Sequence, residues 1–169
     1  GGGRMVCVCV TTAAIADAAL AAVRPLLLEE PTEREFGLAL DGTTFATRLL
    51  PALMPGNVEK TKQAPVTAII AYDKKFYDHL PTQFTAFDAR AIFAGNEAAA
   101  KSTAELNTAI QGGYLIIAAR LLGLDAGPMA GFDAAKVNAE FFPGGEWQTS
   151  FLLNLGYGDA SGNYPRGPR

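Results

Sequence analysis

The sequence predicts an α+β fold, and three stretches predict it. Residues 65–72, Pro-Val-Thr-Ala-Ile-Ile-Ala-Tyr, form a continuous β-branched run of the kind found in a strand covered on both faces. Residues 149–156, Thr-Ser-Phe-Leu-Leu-Asn-Leu-Gly, read as a second buried strand. Residues 97–122 form the longest helical stretch, polar and alanine-rich at first and apolar on nearly all sides from Tyr114 to Leu122.

The remaining elements follow in chain order. Residues 5–12 alternate Val6, Val8 and Val10 with Cys7 and Cys9, which predicts a short strand. Residues 13–23 place Ile15, Ala19, Leu20 and Val23 on one helical face, and Pro25 ends that helix. Residues 26–47 carry an acidic stretch, Glu29, Glu30, Glu33 and Glu35, and a turn signal at Asp41-Gly42. Arg48–Met54 is a short helix-like piece closed by Pro55-Gly56-Asn57, with a polar Glu59–Gln63 behind it. Residues 73–95 predict an irregular, partly helical excursion whose aromatics, including Phe76, Tyr77, Phe84, Phe87 and Phe93, line a cavity or pack the core. Gly112 and Gly113 weaken the long helix by about 1 kcal/mol each relative to alanine and invite close approach of another backbone or a flat ligand. Gly123 is its C-cap, Asp125–Met129 a strand, and Asp133 the N-cap of a helix over 134–141. Pro143-Gly144-Gly145 breaks the chain, and Tyr157–Arg169 predicts an extended tail.

Composition bounds the function. A chain of 169 residues and 17.8 kDa suits one domain or one subunit of an intertwined dimer. With 49% hydrophobic and 18% charged residues it is neither disordered nor a coiled coil. Its net charge of -3 makes no global case for a nucleic-acid partner. The apolar run at residues 5–10 is too short to span a bilayer and is soon interrupted by Thr11, Thr12 and Asp17. A single histidine, His79, excludes a histidine-rich metal site, and Cys7 and Cys9 at i, i+2 are not a zinc pattern. These features predict a reduced, cytoplasmic protein with no metal and no membrane partner.

Two segments are candidates for chemistry. Gly127-Pro128-Met129-Ala130-Gly131-Phe132-Asp133 lies between a strand and a helix start; Gly131 lacks a Cβ, so backbone there can approach a planar ligand, and nearby N–H groups can donate to an electron-rich atom. The plain alternative is a tight strand-to-helix turn. Arg166 and Arg169 sit on a proline-stiffened tail, where guanidinium groups suit bidentate phosphate contacts. The alternative there is a solubilising basic terminus. No phosphate-loop lysine motif and no Gly-x-Gly-x-x-Gly follows a strand; Ser102 and Ser150 lack a nucleophile motif, and Asp and Glu pairs are too scattered to nominate an acid/base couple.

Several segments in order carry a family resemblance: Arg48–Leu53; Pro55-Gly56-Asn57-Val58-Glu59-Lys60-Thr61; Ala64–Asp73; Phe76-Tyr77; Leu80-Pro81; Asp88-Ala89-Arg90; Asn107; Gln111-Gly112; and Tyr114-Leu115-Ile116. The longest is Leu-Gly-Leu-Asp-Ala-Gly-Pro-Met-Ala-Gly-Phe-Asp at 122–133, followed by Phe141-Phe142-Pro143, Leu155–Asp159 and Pro165–Arg169. Over residues 48–169 the chain resembles the nitroreductase family of FMN-dependent oxidoreductases. Within it, the chain resembles the branch containing the malonic-semialdehyde reductase (3-hydroxypropionate dehydrogenase) of the Rut pathway of pyrimidine degradation.

The resemblance implies a central, mostly antiparallel sheet flanked by helices, with FMN as cofactor and NAD(P)H as co-substrate in ping-pong hydride transfer. It implies that Pro128, Met129, Ala130 and Gly131 line the isoalloxazine edge, with the N–H of Ala130 or Gly131 facing N5, which needs no side-chain nucleophile. It implies that Arg169 holds the FMN phosphate with help from Arg166, and that the subunit pairs as a homodimer with flavin at the seam. Residues 1–47 depart from the family pattern: they hold no asparagine, and Arg4, Arg24 and Arg34 stand in other contexts. They read as a divergent segment, altered or truncated, before a nitroreductase-like FMN-binding domain at 48–169. The implied substrate is malonic semialdehyde, reduced to 3-hydroxypropionate; a nitroaromatic or quinone reductase and a flavin-free, non-catalytic remnant are the alternatives.

Overall fold

The run at 65–72 becomes β2 (Val66–Asp73), and every one of its residues is buried. It lies inside a four-stranded sheet ordered β1-β2-β4-β3, with β1 (Met5–Thr11), β3 (Asp125–Met129) and β4 (Trp147–Gly156), and other elements cover both of its faces. The computed structural model describes residues 5–11, 47–162 and 167. All three neighbouring pairs are antiparallel, with registers Cys7↔Ile70, Ile69↔Leu152 and Met129↔Leu152. Between Ile70 and Ala71 the β2–β4 register shifts, leaving Ser150 as the extra residue between Thr149 and Phe151.

Alternation along the strands divides the core in two. On one face Val66, Ala68 and Ile70 join Leu153 and Leu155 against Leu115 and Ala119 of the long helix. On the other, Ile69, Ala71, Leu152 and Met129 pack against Leu49, Ala52, Val137 and Phe142. A third cluster around Tyr72, Phe76, Leu80 and Ala104 closes one end.

Helices among the described residues include α1 (Pro55–Gln63), α2 (Leu80–Gln83), α3 (Arg90–Phe93), α4 (Glu97–Leu121) and α5 (Ala134–Phe141). The first corrects the sequence reading, in which Pro55-Gly56-Asn57 closed a helical piece. Pro55 instead opens α1 at a first-turn position, where its missing N–H costs nothing and its fixed φ suits the helix. The excursion at 73–95 is partly helical as expected, with a 3₁₀ turn at Phe76–His79 before α2 and α3. Helix α4 ends in a Schellman motif: Leu122 is the C-cap, Gly123 follows at φ 83, Gly123 N–H donates to Arg120 O, and Leu124 N–H donates to Ala119 O. Asp133 caps α5 as expected, its side chain accepting from Lys136 N–H at 3.1 Å. A 3₁₀ turn at Ala160–Gly162 interrupts the expected extended tail.

An apolar half-helix suits either a buried or an interface position; here Leu115 and Ala119 face the sheet, while Tyr114, Ile117 and Leu121 are 70%, 58% and 82% exposed. One expectation about α4 changes. Gly112 admits a side-chain ring of its own sheet rather than a second backbone or a flat ligand; a Cβ there would lie 2.5 Å from Phe151 Cζ, whereas one at Gly113 would meet open space. The expected helix at 13–23 and the acidic stretch and turn within 26–47 lie outside the described residues.

Candidate functional site

The turn that links β3 to α5 is held from one side by the segment before α1. Met54 N–H donates to Gly131 O at 3.0 Å, and Asp133 N–H donates to Ala52 O at 2.7 Å. An isolated antiparallel bridge joins Leu53 to Phe132. The Asn57 side-chain amide adds a second donor to Gly131 O at 2.8 Å. Arg48 braces the same segment against α5, its guanidinium pairing with Glu140 and lying 5.0 Å from the Phe141 ring centroid.

The absent side chain at Gly131 matters here, but for a different neighbour than the sequence reading supposed. A Cβ at 131 would sit 2.5 Å from Asn57 Nδ2 and 3.5 Å from Met54 Sδ. The glycine thus makes room for the side chain that grips its own carbonyl.

The turn leaves two donors unengaged. Phe132 N–H donates back to Ala130 O at 3.0 Å, which orients the 130–131 peptide. No peptide bond among the described residues is cis, so the Gly131 N–H points opposite to that carbonyl. Neither the Ala130 nor the Gly131 N–H donates to any acceptor among the described residues, and Ala130 is exposed. Two oriented, unengaged donors on a braced turn can bind an electron-rich atom of a planar ligand edge-on.

The four candidate turn residues therefore fall together but differ in aspect. Pro128 and Ala130 are exposed, Gly131 is half-buried, and the Met129 side chain is turned into the core. What Met129 can offer a ligand is backbone only. Arg166 and Arg169 lie outside the described residues.

Behind the turn sits a polar cluster that sequence reasoning missed. Asn154 on β4 accepts from Thr67 Oγ1 at 2.8 Å and donates to Lys60 O at 3.2 Å. Its amide nitrogen also lies 3.4 Å from Thr61 Oγ1 and 3.9 Å from Met129 Sδ. The available signal was an asparagine inside the apolar run Phe151–Leu155.

A second concavity lies at the far end of β2. A cavity of about 950 Å³ is lined by Tyr72, Tyr77, Phe93, Lys101, Glu105 and Ser150 among others. The aromatics of the excursion thus divide: Tyr77 and Phe93 border this cavity, Phe76 is buried, and Phe84 packs edge-on against Phe87 at 5.0 Å. Burial pushes the Tyr72 hydroxyl up to about 12, and the charge of Glu105, 3.3 Å away, adds to it. His79 stands 3.4 Å from Asp73 Oδ2, and Ser102 is exposed. Among the described residues no cluster of His, Cys, Asp or Glu could hold a metal, and no helix is long and apolar enough to cross a membrane.

Comparison with known proteins bears on this geometry. Residues 6–157 match the family model described as the nitroreductase family. A Ralstonia nicotianae protein, provisionally named NADH dehydrogenase/NAD(P)H nitroreductase, is 57% identical over 122 residues, 72% of this chain and 63% of its own length. The chain thus spans less than two thirds of that relative. A nitroreductase-family protein of Streptococcus pneumoniae superposes with TM-score 0.63 at 15% identity, covering 100% of this chain and 90% of its own. An Exiguobacterium sibiricum protein crystallised with FMN superposes at 0.69 and 17% identity, covering 100% and 89%. The fold is shared with these structures, and the sequence match over most of its length places this chain in the nitroreductase family.

Proposed function

We propose that the chain is an FMN-dependent NAD(P)H oxidoreductase acting as a cytoplasmic homodimer. One observation carries the reading: the Ala130 and Gly131 N–H groups are unengaged by the described residues, on a turn braced by Met54, Asp133 and Asn57. Such donors fit the edge of an isoalloxazine ring, and the sulfur and carbonyls beside them are already committed inward. When bound, FMN supplies a ring that takes hydride from NAD(P)H and releases it to a second substrate. The chain's part is positional. The turn orients the ring edge, and Arg169, assisted by Arg166, holds the phosphate.

Pairing of two copies is supported by α4. Leu106, Ile110, Tyr114, Ile117 and Leu121 recur at helical spacing and are all exposed, an apolar stripe that water does not favour. A second copy of the same helix is the occupant we propose.

For the substrate we propose malonic semialdehyde, supported by the segments quoted from residues 48–169. The balance is aldehyde plus NAD(P)H plus a proton giving 3-hydroxypropionate and NAD(P)+. Reduction of a nitroaromatic or quinone is the second reading, supported by the name its relatives carry.

The test is direct. Purified protein should be yellow or take up added FMN, and should oxidise NAD(P)H; turnover with the semialdehyde against a nitroaromatic separates the two readings. Arg169→Ala should weaken FMN binding by about 1.5–3 kcal/mol, the usual worth of a charged phosphate contact. Colourless protein that refuses FMN overturns the proposal and leaves the flavin-free remnant.

A further inference from the structure

We infer that Asn154 is a positioning residue for the Pro128–Gly131 turn, acting through Thr61 and the Met129 sulfur. Asn154 interrupts an apolar strand run, yet its amide is engaged by other elements: Thr67 of β2 donates to its oxygen, and its nitrogen donates to Lys60 O of α1. The same nitrogen and the Thr61 hydroxyl both approach one sulfur, at 3.9 and 3.7 Å. Thr61 is buried, so its hydroxyl has few other places to turn.

A thioether has three flexible bonds and by itself fills a core in many ways. Two donors aimed at its sulfur select one arrangement, although each contact is weak. That arrangement fixes the Met129 side chain under the turn, where the β3–β4 ladder ends at Met129↔Leu152, and Ala130 follows directly. The turn is then gripped at two places: at 129 through the sulfur, and at 131 through Asn57 and Met54. The unengaged N–H groups lie between these grips, so their direction depends on both. A strand carrying leucine at 154 could fill the space, but it would release the sulfur and orphan the Thr67 hydroxyl.

The flavin half of this inference rests on the function proposed above; the structural half does not. The experiment uses the full chain and compares wild type with Asn154→Leu, Thr61→Val and Thr61→Ser. Amide hydrogen exchange is followed at Met54 and Phe132, whose N–H groups bond to Gly131 O and Ala130 O, and at Ile69 in β2 as a global reference. FMN affinity and the visible spectrum of bound flavin are read in parallel.

The expected result is exchange at Met54 and Phe132 faster by about tenfold or more in Asn154→Leu and Thr61→Val, with Ile69 little changed. Thr61→Ser should restore protection because the hydroxyl remains. Bound FMN should show shifted visible maxima and weaker binding in the first two variants. Unchanged exchange at Met54 and Phe132, or an equal rise at Ile69, overturns the inference. Wild type that refuses FMN sinks only the flavin reading, since exchange still reports on the turn. Should Asn154→Leu fail to fold, the Thr61 pair decides.

Discussion

The side-chain nitrogen of Asn57 donates to the carbonyl oxygen of Gly131 at 2.8 Å and occupies the space where a Cβ of residue 131 would sit. The two residues are 74 positions apart in sequence. Their contact couples the glycine to the asparagine, so a side chain at 131 would have to displace the Asn57 amide.

Gly131→Ala should therefore displace the Asn57 amide rather than open the backbone. The cost is expected at about 1–3 kcal/mol, from crowding and a lost hydrogen bond. Urea unfolding of Gly131→Ala, Asn57→Ala and the double variant checks it. The double variant should be less destabilised than the sum of the singles, because removing Asn57 makes room for the new methyl. Simple additivity would contradict the shared-space account.

Gly112→Ala places a methyl 2.5 Å from the Phe151 ring. Helix propensity alone favours alanine by about 1 kcal/mol, but overpacking of a seated ring costs about 1–3 kcal/mol, so the net expected change is destabilising. A thermal melt decides it: a raised Tm would mean that the ring moves aside freely.

The exposed stripe on α4 predicts the oligomeric state. Ile117→Glu together with Leu121→Glu should convert a dimer to a monomer in size-exclusion chromatography with light scattering, with circular dichroism unchanged. Both side chains project from the chain's own surface, so their charge does not disturb its core. Wild type that elutes as a monomer would remove the proposed pairing.

Tyr72 predicts a stability change in alkali. Its hydroxyl is raised from 10.0 to about 12 in the fold, first by burial and then by Glu105. The folded state therefore holds this proton more tightly than the unfolded state. The stabilisation is fully present below pH 10 and is lost as pH rises toward 12. Unfolding free energies measured from pH 9 to 12 should fall more steeply for wild type than for Tyr72→Phe. Parallel curves would show that the hydroxyl is not held as described.

Asp133→Ala removes the cap of α5 at the foot of the turn. The expected loss is about 1 kcal/mol in denaturant unfolding, and Asp133→Asn should recover most of it, since an amide oxygen can still accept from Lys136 N–H.

Sequence alone determined the elements whose signal is local. The β-branched run of β2, the extent of α4, the Asp133 cap and the Gly123 stop each depend on residues within a turn or two of one another, so periodicity and capping chemistry reveal them. The order of matched segments likewise pointed to the family before any coordinates. Tertiary structure alone decided which partner each special residue serves. Gly112 yields to Phe151, Gly131 yields to Asn57, and Asn154 reaches Thr61 and Met129. It also decided which side of α4 faces water. These contacts join residues tens of positions apart, and their energies come from burial and fit between separate elements, which no local pattern of residues encodes.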